Sequence, residues 1–226
     1  MLGVVAAVYD YDWKDAQRLF RLAMAHEPVS PPVREYYGYL YLLPMGRPED
    51  AVEELRKALT EDPLNLMFRL LLGDSLMAAG RYEDSSAEYH RILEFDKNYW
   101  WAYVMLAWNH ALRGAPAEAG PLAERAYSMM PWNLTAAAVF AAVLQRSGDT
   151  TRAEKMLRTT RNSPGQYGAP RALATFYFLC GEMDLAAEWA GKSVEQRDPG
   201  IPALSAFALF RSSSCWPALA KAMNLV

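Results

Sequence analysis

Cysteine and histidine are scarce in this chain: Cys180 and Cys215, then His26, His90 and His110, among 226 residues. Two cysteines make no disulfide framework, which fits a reducing compartment and a cytoplasmic location. The histidines fall on separate segments without metal-ligand spacing, so no metal site is expected. Neither cysteine has a histidine near it in sequence, which argues against a thiol nucleophile. Long hydrophobic runs are missing too. None approaches the roughly 20 residues that span a bilayer, and the apolar start at residues 1–8 has neither a basic leader nor a cleavage pattern. No membrane partner is expected.

Concentrated charge of one sign is also absent. The net charge is −3, with 12 basic and 17 acidic side chains in residues 1–113 against 11 and 9 in residues 114–226. Such mild polarity argues against a nucleic-acid partner, which calls for a concentrated basic face. Arg152, Lys155, Arg158 and Arg161 form a basic run whose three-residue spacing drifts round a helix, and a solvated outer face accounts for it. There is no Walker loop, no dinucleotide glycine motif and no nucleophile elbow. Acid pairs such as Glu49-Asp50 sit where they complement a helix dipole. The chain therefore reads as non-catalytic, with no cofactor.

What is present is periodicity. Gly46, Gly80, Gly114 and Gly148 stand 34 residues apart, each between an apolar run and a polar one. Small residues follow each glycine in step (Ala51, Ser85, Ala119, Ala153, then Ala186 after Gly181), and seven residues on come Ala58, Ile92, Ala126, Thr160 and Ser193. Pro63 and Pro131 close two of the units. A fixed period of this size is the mark of a stacked repeat array. Glycine and proline punctuation predicts helix pairs at 32–45 with 48–61, 66–79 with 82–95, 100–113 with 116–129, 134–147 with 150–162, and 169–180 with 183–196. Helix 13–26 precedes them, partnered by residues 1–9 as the tail of a helix, and short helices at 202–210 and 216–223 follow.

Leu72-Gly73 with Leu76, Tyr103 with Leu106-Ala107, and the series Ala16, Phe20, Ala23, Pro28 resemble the tetratricopeptide repeat. The resemblance implies an all-α, right-handed α-solenoid of helix–turn–helix repeats. It divides the chain into a truncated leading repeat (1–29), repeats at 32–65, 66–99, 100–133, 134–166 and 167–200, and C-terminal capping helices at 201–226. Gly38 stands one residue early for the family's glycine, which leaves the register of the 32–45 helix ambiguous by one position. The opening Tyr9-Asp-Tyr-Asp-Trp13 and the closing Gln196-Arg-Asp-Pro199 resemble the C-terminal repeat domains of bacterial multidomain regulators that carry a Ser/Thr kinase, a nucleotide cyclase or a winged-helix domain. A larger signalling or transcription protein is the expected context.

In this family the first helix of each pair lines a concave groove, so the resemblance implies a protein or peptide partner there. Residues three and four apart share a helix face. The groove stripe then comprises Tyr36, Leu40, Met67, Leu70, Asp74, Met77, Trp101, Val104, Trp108, Gln145, Arg171, Thr175 and Phe178. Its middle is apolar and aromatic, which suits an apolar or amphipathic segment. The lysine and asparagine with which some relatives grip a terminal carboxylate are absent from these positions. Three alternatives stand beside peptide binding: the stripe is packed as core; the stripe or the N-terminal edge joins two copies in a homodimer; or an all-α enzyme gathers residues in the groove, where mainly Asp74 and Arg171 are on offer.

Overall fold

The helices begin and end where local chemistry dictates. The computed structural model describes residues 1–163 and 165–226. Gly46, Gly80, Gly114, Gly148 and Gly181 all have φ between +75° and +88°, the left-handed conformation that closes a helix cheaply only at glycine. At each, the following amide reaches back over the last turn, as Arg81 N–H does to the Leu76 carbonyl (2.9 Å) and Asp149 N–H to Leu144 (3.0 Å). Asn65 and Asn133, two residues after Pro63 and Pro131, cap the next helices by accepting from the Phe68 and Ala136 amides.

The described residues are all helix and connecting turn. They form α1 (Leu2–Val5), α2 (Trp13–Met24), α3 (Pro31–Tyr36), α4 (Pro48–Glu61), α5 (Leu66–Ala78), α6 (Tyr82–Phe95), α7 (Trp100–Leu112), α8 (Pro116–Met129), α9 (Leu134–Arg146), α10 (Thr150–Asn162), α11 (Ala169–Cys180), α12 (Met183–Glu195), α13 (Ile201–Leu204), α14 (Ala208–Arg211) and α15 (Trp216–Ala222). The fold is the all-α repeat architecture that the spacing predicts. The chain gathers into two compact units, one made of Met1–Glu88 with Arg197–Val226, the other of Tyr89–Gln196.

In the first unit, α1 and α3 do not end as regular helices. Each continues as a π-helix, over Ala6–Asp10 and Tyr37–Leu42. The cause is one extra residue. Gly38 and Gly46 are eight apart, whereas Gly73 and Gly80 are seven apart; a wider turn absorbs the surplus without breaking the helix. The same surplus separates Gly3 from Tyr11, which takes the left-handed closing position (φ 55°). Gly38 is where α3 crosses its partner: a Cβ there would lie 3.2 Å from the Ala51 carbonyl oxygen. The register of this helix is thereby settled with Gly38 as the family's glycine.

Residues Arg197–Val226 complete this unit by folding onto its leading repeats. Trp13 Nε1–H donates to the Met223 carbonyl across 210 residues of sequence (2.6 Å). The Arg211 guanidinium donates to the Pro44 and Ser205 carbonyls and lies over the Trp216 ring. Arg197 lies over Tyr11, 4.9 Å from its centroid. Ile201, Leu204, Phe210, Leu219 and Met223 are all buried. An aromatic core runs through the unit from Tyr11 to Trp13 and Tyr41, with Tyr37 and Phe20 stacked behind.

In the second unit, α7 with α8, α9 with α10 and α11 with α12 pack as successive antiparallel pairs. The first helices stack on one another, and α11 also reaches past α9 to α7. Ala119, Ala126, Ala153 and Ala186 are buried on the second helices. These are the small residues that keep step with the glycines.

Candidate functional site

The stripe implied by the repeat register divides into buried and accessible positions. In the first unit, Leu70, Asp74 and Met77 are buried, while Met67 at the first turn of α5 is half exposed (49%). The Tyr39 hydroxyl donates to Asp74 Oδ2 (3.2 Å). Tyr39 and Asp74 thus occupy equivalent positions in successive repeats. The π-insertion shifts the register by one residue, so Glu35 and Tyr39 stand level with Leu70 and Asp74, where the repeat spacing alone puts Tyr36 and Leu40. Tyr36 instead lines an apolar cavity of about 310 Å³ with Leu2, Leu19 and Phe20. Leu40 is partly buried. The signal that finds the right register is Gly38 itself, read as the site of closest helix approach.

Glu35 is the electrostatic outlier of this face. Burial alone pushes its carboxyl up to about 7, with no described cation or hydrogen bond to hold its charge. Asp74, by contrast, has the Tyr39 hydroxyl.

In the second unit, Val104, Trp108, Thr175 and Phe178 are buried. Trp108 and Phe178 meet with ring centroids 6.2 Å apart. The helix between them, α9, carries Ala138 and Ala142 at the equivalent positions, both fully buried. Side chains that small let rings on the flanking helices touch across it. Arg171 Nη1–H donates to Thr135 Oγ1 (3.0 Å), joining α11 to α9 at the other end of the stripe. Gln145 is exposed. The aromatic middle of the stripe is therefore packed. An accessible aromatic pair lies at the first turn of α7: Trp100 and Trp101 stand edge to face (4.9 Å, 80°), each partly exposed.

The basic run of α10 splits as its spacing drifts. Arg152, Lys155 and Arg158 face outward, but Arg161 turns in, over the rings of Phe176 and Tyr177. No group of three or more His, Cys, Asp or Glu side chains placed to hold a metal occurs among the described residues. No helix among them is long and apolar enough to cross a membrane.

The tetratricopeptide repeat family matches residues 42–105, the stretch that contains the Gly46–Gly80 period, the Leu72-Gly73 pair and the Asn65 cap. Over residues 42–105 the chain carries tetratricopeptide repeats. No curated protein matches the sequence. Among solved structures, PilF of Pseudomonas aeruginosa is similar over 90% of this chain and 92% of its own (20% identity, TM-score 0.61). A thermophilic tetratricopeptide repeat protein of Thermus thermophilus is similar over 78% of this chain and 98% of its own (19% identity, TM-score 0.58). A tetratricopeptide repeat protein of Parabacteroides merdae matches over 98% and 96% (14% identity, TM-score 0.57). At such identities the likeness speaks for the fold. Tetratricopeptide repeats mediate protein–protein interaction, and proteins built from them generally act as scaffolds without catalysis.

Proposed function

We propose that this chain is a non-catalytic docking scaffold for an apolar or amphipathic segment of a partner protein. The observation that carries the reading is the partly exposed Trp100–Trp101 pair at the start of α7. Tryptophan is enriched among residues that dominate binding energy, and a pair fixed on a helix turn loses little freedom when a partner covers it. In the second unit's part of the implied stripe, Trp101, Gln145 and Arg171 are the members a partner reaches, and the buried members hold the helices in place. The regulator-like sequences at both ends support a place in a larger bacterial, cytoplasmic signalling or transcription protein.

The test is affinity capture from the source lysate with wild type, Trp101→Ala and Trp108→Ala. The docking reading expects Trp101→Ala to lose specific partners at unchanged helicity. Equal capture by wild type and Trp101→Ala refutes it. A second reading, self-association, is favoured by the apolar cavity at α1, around which Met1, Leu2, Val5 and Leu22 are exposed. Light scattering separates the two, because docking leaves the unbound protein a monomer and an isologous contact gives a dimer.

A further inference from the structure

A second cavity, of about 470 Å³, lies in the Tyr89–Gln196 unit among the end of α9, α10, α11 and the start of α12. It shares Gln145 with the first-helix stripe but not Trp100 or Trp101, and its size falls in the range of small-ligand sites. One wall is aromatic, built from Phe176 and Tyr177. Arg161 lies over both rings (5.8 and 5.9 Å). Its Nη1 spans both Glu154 oxygens (2.7 and 2.6 Å) and its Nη2 donates to the Tyr177 hydroxyl (3.2 Å). The Arg161 Nε–H is buried and has no described acceptor.

Arg146, at the exposed end of α9, also lines the cavity. Its Nη1 donates to the Leu179 carbonyl (2.7 Å), and no described carboxylate lies within ion-pair reach of it. A guanidinium has five N–H donors in a fixed fork, and here most of them are unspent. Cys180 and Leu185 line the cavity, as do Glu154 and Glu182. Two cations and two carboxylates leave the lining neutral. A dianion such as a phosphate monoester would meet both carboxylates, whereas a single carboxylate needs only the open fork of Arg146. The aromatic wall then suits a flat or branched apolar group attached to it.

We propose that this cavity binds a carboxylate carried on an aromatic or branched apolar group. Arg146 takes the carboxylate, and the Phe176–Tyr177 wall takes the apolar part. Two sources present this chemistry: a free organic acid, or an acidic residue beside an aromatic one in a partner peptide. Titration calorimetry on the whole chain uses hydrocinnamate, its neutral analogue hydrocinnamide, and the capped peptide Ala-Phe-Asp-Ala. Hydrocinnamate binding at least about tenfold tighter than hydrocinnamide supports the site and a free acid as its ligand. Binding of the peptide alone supports the site and assigns it to a partner. Arg146→Gln, at an unchanged melting temperature, is expected to weaken the bound probe at least about tenfold.

Cys180 reports the location. Burial pushes its thiol up to about 11, so it alkylates slowly at neutral pH and measurably in alkali. In a Cys215→Ser background the bound probe is expected to slow that alkylation. The proposal is overturned if neither acid nor peptide binds at millimolar concentration, if hydrocinnamide binds as well as the acid, if Arg146→Gln binds as well as wild type, or if binding leaves Cys180 unprotected.

Discussion

Trp108→Ala decides between a packed and an open stripe. Trp108 is 7% exposed, and its ring meets Phe178 at 6.2 Å across the alanine face of α9. Truncating a buried tryptophan costs about 3–5 kcal/mol, through lost transfer energy and the cavity left behind. Between about 0.5 and 1.5 kcal/mol of that is the ring pair itself, beyond area burial. Because repeat stability is a sum of local and neighbour terms, the loss is best read where it occurs. Native-state hydrogen exchange of α7 and α11 amides is expected to speed up in Trp108→Ala, while α15 amides in the other unit stay as they were. A double-mutant cycle with Phe178→Leu isolates the ring contact and is expected to give a coupling of about 1 kcal/mol. A loss below about 1 kcal/mol with no coupling would mean that Trp108 is not a packing residue, and that the aromatic stripe is a groove after all.

Other perturbations test other parts of the structure. Gly114→Ala is expected to cost about 1 kcal/mol, because φ is +75° there and the space around it is open, so backbone strain acts alone. Gly120→Ala, inside α8 and equally uncrowded, is expected to stabilise by about 0.5–1 kcal/mol; urea unfolding reads the opposite signs. Glu35 is raised from the ordinary 4.5 to about 7, so the folded protein holds its proton over a range where the unfolded chain has lost it. Stability is therefore expected to fall as pH rises from about 4.5 to about 7 and to level above that, and Glu35→Gln should remove this component of the pH profile. Trp13→Phe deletes the hydrogen bond to Met223 at little cost in volume; exchange of α15 amides is expected to accelerate, with a loss of about 1 kcal/mol.

The helices were legible because their ends are chemical. Gly46 to Gly181 must be glycine to turn left-handed, and Asn65 and Asn133 must carry an oxygen to cap, so each boundary leaves a mark at a fixed interval. The register of α3 was legible only through Gly38. Counting back from Gly46 is off by the one residue that the π-turn absorbs, so Glu35 and Tyr39, in place of Tyr36 and Leu40, stand level with Leu70 and Asp74. Burial of the stripe was not legible at all. It depends on how closely α7 and α11 approach, which Ala138 and Ala142 permit but do not announce. The docking of residues 197–226 onto Trp13, Pro44 and Tyr11 was also hidden, since contacts across most of the chain leave no periodic trace.

The composition of the first unit from both ends of the sequence has a consequence for synthesis. Chains emerge from the ribosome N-terminus first, and domains generally fold as units. Residues Tyr89–Gln196 form a compact unit of their own, complete in sequence once Gln196 has emerged. The leading repeats do not. The Trp13 indole and the Pro44 carbonyl await Met223 and Arg211, which follow them by 210 and 167 residues. The leading repeats are thus made before the Tyr89–Gln196 unit and completed after it, and a chain stopped short of α15 leaves the Trp13 indole without its acceptor. Ribosome-stalled chains ending at Gln196 are expected to protect the later-made unit from protease while the earlier-made one is still cut.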